Sequence, residues 1–589
     1  MAWTDFSELD ANNRIAVEVR WRELGPVFFI PLIVFCLLTP HIVDWLNPPT
    51  GDEPFYLTTA ISLIQDHDLD ETNQYLNHDY WQFYPTCLTV INTPQWGSSS
   101  STGHATDNTP GVSAPGIPCL NLGNFQYLPP HTSQGVLRPG QYTKHGVGLS
   151  FLIAPAYVIG GRIGTVFFMN FLAALLGVNL FLLAYETTRR RRIAWLVWAT
   201  LLFSVPFLSY AFLIFPATPA ALCLVYAWRR LRLASQARIW ARENNVLVPV
   251  VNNALQLALV AVCIGFLPWL HSVYLSLALP LVLYMWLGGR DVWRNSWRWL
   301  RLGHFTFGFI AEDISLIGFA VSFAILTFFG GLFLLFYLYY YGTPLPNTQD
   351  HAGFTPLTWL WDGILGFLFD QKYGLLMYAP YYLLALAGIS LLWFKPTNQA
   401  YTASRHSDLG WLALVAGPYF LIMSDYNQWW GEWCPPARYL MPILPLLALP
   451  FALALDEMRS WLARGFYSLA AVWSFAAAIL VMYNPHLEFD WQSSNPAKIL
   501  LLLQQNVPFL HEQNVGAWFP AYVTPIQPAA GIGFWLAPLL WAIGALGLAV
   551  AMVWQTLHQR SSLCNVWWGR HNLDTPTDLA ITQLSEHRH

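Results

Sequence analysis

The chain has 589 residues, 55% of them hydrophobic and only 11% charged, with a formal net charge of −4. Soluble domains carry roughly 25% charged residues, so an ordinary soluble enzyme is excluded, and nothing in the charge pattern points to nucleic acid. Apolar runs of about 20 residues recur from Pro26 to Trp554, each long enough to cross a hydrocarbon core about 30 Å thick.

The expected fold class is therefore an all-α polytopic membrane protein with about twelve transmembrane helices. The spans are placed near residues 26–46, 165–186, 193–212, 214–229, 254–269, 272–288, 315–341, 375–394, 409–424, 439–456, 465–484 and 532–555. The chain divides into a cytoplasmic N-terminus (1–25), the first helix (26–46), a large external loop (47–164), a bundle with further external loops (165–484), a last external loop (485–531), a last helix (532–555) and a cytoplasmic tail (556–589). The first run has no A-x-A-like cleavage site after it and reads as a retained helix.

Arginine placement sets the orientation. Arg14, Arg20 and Arg22, the run Arg189 to Arg192, Arg229/Arg230/Arg232/Arg238/Arg242 and Arg290/Arg294/Arg298/Arg301 all fall on one side. The positive-inside rule makes that side the cytoplasm, with both termini in it. The apolar segment Gly146 to Gly161 would put the arginines at 189–192 outside if it spanned, so it is expected to lie in the outer leaflet before residues 165–185 cross. Spans carrying Pro268/Pro280 and Pro418 are expected to be short or broken and to line a cavity. Asp291 to Leu302 reads as a basic amphipathic helix on the membrane surface. Of seven Cys, only Cys87, Cys119 and Cys434 fall in external loops; Cys87 and Cys119 are spaced compatibly with a disulfide, and no C-x-x-C pair occurs.

The polar chemistry collects in the external loops. The first opens with GDEPFYL, where Gly51 and Pro54 fix a tight exit, and Leu57, Ala60, Ile61 and Ile64 recur at helical spacing, giving a helix along the bilayer. Asp52 and Glu53 then stand at a helix N-terminus at the water–membrane boundary. The competing reading of Asp52 is a plain N-cap. The loop closes with QYTKHGVGLS, where Lys144 is one of few external cations and Gly146 and Gly148 permit close backbone approach. A second loop, DYNQWWGEWCPPARYLMP, supplies Asp425, Glu432 and Arg438; its tryptophans also suit an interfacial belt, and Arg438 also suits an ion pair with Glu432 or another carboxylate. A third holds Asp350, His351, Asp370 and Lys372, read as solvated loop charges. The run Asp66, His67, Asp68, Asp70 lacks EF-hand spacing and is read as a solvated helix end rather than a metal site. No P-loop or G-x-G-x-x-G is present, no cofactor is called for, and a divalent metal is compatible but not expected.

The acidic pair after the first helix (Asp52, Glu53), the long first external loop, its closing Lys144 and the arginine-rich exit of the second span together resemble the GT-C superfamily of integral membrane glycosyltransferases. That superfamily includes protein O-mannosyltransferases and lipid A aminoarabinose transferases. TKHGVGLSFLIAPAYVIGG stands where the latter have a Lys-Pro-Pro element; His145 and Gly146 replace the prolines, so only Lys144 matches. LPWLHSVYL, which contains His271, and WWGEWCPPARYLMPILP are similar to segments of prokaryotic members. The resemblance implies a multi-pass plasma (inner) membrane enzyme of a prokaryote. It would take a polyprenyl-phosphate sugar as donor and a lipid, glycan or protein hydroxyl as acceptor, and would invert the anomeric carbon. Asp52 is then the general base, Glu53 an orienting or second acid, and Lys144, His145 and Arg438 bind the lipid phosphate. Tyr142, Glu432, Lys372 and His271 complete the pocket. Competing readings are a lipid-linked-sugar transporter or flippase, which would place ionisable residues inside the bundle, and a non-catalytic membrane subunit.

Overall fold

The computed structural model describes residues 21–84, 128–243, 254–287, 311–344, 357–394, 399–431, 433–458, 461–489 and 496–523, with isolated helical positions at 543, 547, 550 and 554. The amphipathic segment 291–302, Cys87, Cys119, Asp350, His351, Glu432, Cys564 and nearly all of the span at 532–555 lie outside these residues. The rest is about 75% helical.

Among the described residues, five helices are long and apolar enough to cross a membrane: Glu23–Trp45 within α1 (Trp21–Trp45), α4 (Val147–Thr188), Ile317–Tyr341 within α10 (Ala311–Tyr341), Arg405–Ser424 within α14 (Gln399–Ser424), and α16 (Trp461–Tyr483). The apolar runs read from the sequence account for all five. Only 11% of the apolar window of α10 is buried, and Phe323, Phe328 and Leu335 point outward from it. In water each such side chain would forfeit about 1.5–3 kcal/mol; facing lipid it forfeits nothing. Such outward-facing apolar helices fit a membrane-embedded protein.

Several spans differ from expectation, and prolines explain most of the differences. Residues 193–212 do not form one helix: α5 (Arg191–Leu202) stops before Pro206, a four-residue α6 (Phe207–Tyr210) follows, and α7 (Ala217–Glu243) starts after Pro216 and runs well past residue 229. The 375–394 span breaks at Ala379–Pro380 into α12 (Leu375–Tyr378) and α13 (Leu383–Phe394). In the 439–456 span, Pro442 and Pro445 delay the regular helix α15 until Ala448–Glu457. Residues before proline are pushed away from helical angles. Conversely Pro418 lies inside the continuous α14, so that span is not broken as the sequence suggested. Pro268 likewise lies inside α8 (Ala254–Leu270), which is followed at once by α9 (Ser272–Leu287). One departure from an all-helical chain is a two-stranded hairpin, β1 (Thr132–Gln134) against β2 (Gln141–Thr143), in the first loop.

The expected boundary between residues 161 and 165 is a kink: Gly160 and Gly161 leave helical angles inside α4, and Gly161 takes φ +55°. Beyond the kink α4 packs against α1, α5 and α7 through Met169, Leu176, Leu180 and Leu183, all buried.

The bundle has two chemically different ends. At one, ion pairs join the start of α1 to α5 (Glu23–Arg191, 2.8 Å), α5's N-cap to the end of α15 (Arg190–Asp456, 2.9 Å), α4 to α7 (Glu186–Arg229, 3.0 Å) and α7 to α14 (Arg232–Asp408, 2.9 Å). The Arg232–Asp408 pair is buried on both sides, and removing one partner of such a pair costs about 3–5 kcal/mol. Asp408→Ala should therefore lower the thermal midpoint in detergent sharply, and adding Arg232→Met should recover most of the loss. A single mutant as stable as the wild type would show the pair to be solvated.

Candidate functional site

The opposite end carries the first loop. The peptide leaves α1 at Leu46 and turns through Gly51, whose φ of +56° suits glycine; a Cβ there would also meet Phe215 at 3.0 Å and the Trp433 carbonyl at 3.1 Å. Helix α2 (Glu53–Gln65) follows. It forms as the spacing predicts, but it is not a surface helix: Tyr56, Leu57, Thr58, Thr59, Ala60, Ile61 and Ser62 are all buried. Thr58 and Thr59 satisfy their hydroxyls on the Pro54 and Phe55 carbonyls, so polar residues tolerate an enclosed face.

Asp52 occupies the N-cap position of α2, yet its side chain makes no capping bond. The carboxylate instead pairs with Arg438, 386 residues away, through Oδ2 and Nη2. Arg438 is held by a second bond to the Gly431 carbonyl (2.7 Å) and lies over the rings of Phe215 (4.6 Å) and Tyr439 (5.3 Å), contacts that suit a planar guanidinium. Its loop is strained: Trp433 (φ 40°) and Ala437 (φ 57°) adopt left-handed backbone, costing about 1–3 kcal/mol each. The loop is pinned by the Ala437 N–H on the Tyr373 carbonyl (3.0 Å) and the Tyr210 hydroxyl on the Pro435 carbonyl (3.0 Å). Burial pushes the Asp52 pKa upward, but Arg438, helped by His145 and His131, overrides it and brings the group down to about 2. Asp52 keeps 24% of its side-chain surface open and Arg438 12%, so the pair is reachable from outside.

Glu53 behaves differently. It is 1% exposed, and its oxygens accept the Ile214 N–H (2.7 Å) and the Thr50 N–H (3.1 Å), with Arg162 at 3.9 Å. Burial raises its pKa against these partners. Both oxygens accept backbone N–H groups that hold the loop, a placement that suits the orienting role better than that of a second acid. Arg162, which the sequence reading missed, also donates to the Leu46 carbonyl (2.5 Å) and ties the kink of α4 to the end of α1. Its signal was a lone arginine just after Gly160–Gly161 inside an apolar run.

The closing motif of the loop reaches the same place. A Cβ on Gly146 would sit 2.4 Å from the Leu270 carbonyl oxygen, and one on Gly148 would sit 2.6 Å from the Trp269 carbonyl carbon, so TKHGVG and LPWLHS cross in direct backbone contact, as the glycines foretold. The crossing brings His145 and His271 close enough for their charges to interact; His271 Nδ1 accepts the Val273 N–H (3.3 Å). His145 stacks on Phe55 (5.3 Å, 15°) and its Nε2 is joined to His131 Nδ1 by a 2.8 Å hydrogen bond. The hairpin register makes that meeting: beyond Thr132↔Thr143, the Lys144 N–H bonds the His131 carbonyl (3.1 Å). His145 and His131 are loop residues that lie close enough to Asp52 to help hold its pKa down, and Lys144 is exposed. Tyr142 packs with Tyr340 (4.7 Å) and Tyr341 (6.4 Å) in a separate aromatic cluster.

Asp370 and Lys372 are not solvated loop charges: both are buried, and Asp370 accepts N–H groups of Lys372 (2.8 Å), Tyr373 (3.0 Å) and Tyr522 (2.7 Å). Asp425 likewise accepts the Leu357 and Trp359 N–H groups. Within the 66–70 run, Asp70 Oδ1 closes the loop by accepting from Thr72 and from the Gln141 N–H (2.9 Å), docking the hairpin. Among the described residues no group of three or more His, Cys, Asp or Glu is placed to hold a metal ion.

Beside that dock, burial lifts Glu71 from about 4.5 to about 8, against a hydrogen bond from Thr59. The folded state thus binds a proton that the unfolded state releases between those values, so stability falls as pH rises from 4.5 to 8. Glu71→Gln should flatten this slope in melting curves across that window; an unchanged slope would assign the dependence elsewhere.

The fold and these contacts define a helical, membrane-embedded protein with an ion pair at one end of its bundle. No family model, curated relative or solved structure matches the chain.

Proposed function

We propose that the chain is a glycosyltransferase of the GT-C type, moving a sugar from a polyprenyl-phosphate donor to an acceptor hydroxyl outside the cytoplasm. It does so within a topology of about twelve spans with both termini cytoplasmic. The observation that carries this reading is the Asp52–Arg438 pair, partly open, at the end of the bundle opposite the arginine-rich ion pairs. A donor tail stays among the outward-facing apolar helices while its phosphate reaches Arg438.

The chemistry follows from the pair. The acceptor oxygen attacks the anomeric carbon and the carbon–oxygen bond to phosphate breaks with inversion; the polyprenyl phosphate leaves with the electron pair. Arg438 neutralises that charge, and Asp52 takes the acceptor proton. In the free site Arg438 holds Asp52 near 2, too low for a strong base. A donor phosphate that takes over the guanidinium releases Asp52 from this hold, so base strength arrives with the donor. The Tyr419 hydroxyl, buried beside Tyr274 (5.9 Å between rings), has no hydrogen-bond partner among the described residues and offers one to the sugar.

The test uses purified protein in liposomes with a panel of polyprenyl-phosphate sugars and a lipid acceptor, following release of polyprenyl phosphate and the anomeric configuration of the product. Donor-dependent transfer with inversion supports the reading. A protein that neither binds polyprenyl phosphate nor turns over any donor overturns it.

A further inference from the structure

We propose that Asp370 and Gln371 are positioning residues for transfer: through them the segment 496–523 holds the loop that carries Arg438, and so sets the phosphate-binding geometry of the site. The inference rests on the transfer reading above and deepens it.

The left-handed backbone of Trp433 and Ala437 persists only where the surroundings over-determine it. Two hydrogen bonds grip that loop from outside: the Ala437 N–H on the Tyr373 carbonyl and the Tyr210 hydroxyl on the Pro435 carbonyl, both 3.0 Å. The first grip belongs to the turn 370–373, which follows α11 (Leu360–Phe369). Asp370, Gln371, Lys372 and Tyr373 are all buried, at a depth where polar groups need partners. The segment 496–523 supplies five. The Gln371 N–H donates to the Pro520 carbonyl (2.8 Å). Its side-chain amide donates to the Gly516 (3.2 Å) and Phe519 (3.3 Å) carbonyls and accepts the Ala497 N–H (3.1 Å). Asp370 Oδ2 accepts the Tyr522 N–H (2.7 Å), while Oδ1 closes the turn on the Lys372 and Tyr373 N–H groups. One face of the turn thus binds the segment, and the Tyr373 carbonyl binds the loop of Arg438.

The second grip is built the same way. Next to Tyr210, Ser209 donates to the buried Glu488 carboxyl (2.5 Å) in the stretch after α16. Both elements that hold the Arg438 loop are therefore fastened, by an adjacent residue, to chain that follows α16. Ala497, Ile499, Leu500 and Val515 anchor the segment in the main apolar core, so it acts as a fixed support. With the turn released from it, Ala437 can relax from φ 57°. Arg438, one residue on, then loses the register that sets its guanidinium against Asp52 and the Gly431 carbonyl.

The test reads the Ala437 amide by hydrogen–deuterium exchange of the full chain in nanodiscs, which needs no activity, and polyprenyl phosphate binding beside it. Gln371→Ala removes three bonds to the segment and none to Ala437 or Arg438. Asp370→Asn is milder and serves if the first variant does not fold: its carbonyl oxygen still closes the turn, while its NH2 group is set against the Tyr522 N–H. In both, Ala437 should exchange about tenfold faster, together with 497–523, while α4, α5 and α7 keep their protection. Polyprenyl phosphate should bind about tenfold more weakly, the same loss read at Arg438. A segment that loosens while Ala437 stays protected overturns the coupling, and so does exchange that rises evenly over the bundle. Faster exchange at Ala437 with unchanged phosphate binding overturns the positioning role. A wild-type protein that binds no polyprenyl phosphate removes the transfer reading instead, and the exchange at Ala437 still decides the coupling.

Discussion

Arg438→Ala is expected to abolish measurable transfer, the largest effect at any single position. Two losses coincide. The donor phosphate loses its guanidinium partner in the proposed site, and the Asp52 carboxylate loses the main charge that offsets its burial, so burial then drives its pKa up from about 2. Removing one partner of a buried pair costs about 3–5 kcal/mol; with Asp52 24% exposed, the lower end or less applies to folding, and the protein should remain folded in detergent. Lysine should not rescue it, because one ammonium cannot reach Gly431 and Asp52 in the same geometry or lie flat over Phe215. The check is donor binding alongside turnover. An Arg438→Ala protein that binds polyprenyl phosphate like the wild type would remove the arginine from the phosphate site.

Asp52→Asn is the second large effect, a fall of at least about 10² in turnover, with donor binding kept or tightened because Arg438 is no longer neutralised. Asn caps helices as well as Asp does, and here the side chain makes no capping bond in any case, so the start of α2 should be unaffected. A thermal midpoint near that of wild type, measured with the rate, confirms that chemistry rather than folding was lost. Near-normal turnover would return Asp52 to a structural partner of Arg438.

The sequence spoke most clearly where a single physical signal dominated. Twenty-residue apolar runs marked α1, α4, α10, α14 and α16, because length and hydropathy alone decide whether a helix can span. Gly146 and Gly148 announced a close crossing, and the partner proved to be the Trp269–Leu270 backbone. Proline was a weaker guide: Pro418 sits within α14, whereas Pro206, Pro380 and Pro445 accompany breaks. What a proline does depends on whether neighbours satisfy the freed carbonyl. Asp52 and Arg438 were each legible as polar residues at helix ends. That Asp52 turns away from its cap towards Arg438, while Glu53 turns inward to Ile214 and Arg162, depends on tertiary contacts hundreds of residues away. His131 carried no local signal at all; only the hairpin register sets it beside His145.

The kink in α4 also works as a ruler. A straight helix of its 42 residues would be about 63 Å long at 1.5 Å per residue, well beyond the roughly 40–45 Å of a whole bilayer with its headgroups. Folding the rod at Gly161 shortens its vertical reach, and Arg162, fastened to Leu46 and Glu53 just past the bend, fixes the height at which the loop leaves the first helix. Gly160 and Gly161 both have open space where a Cβ would go, so crowding does not require either glycine. The backbone of Gly161 does, since φ +55° with ψ −146° suits almost no other residue. The height of Asp52 along the bundle is thus calibrated by one achiral residue, and in the proposed transferase lengthening or straightening that bend would move the carboxylate out of register with the donor phosphate.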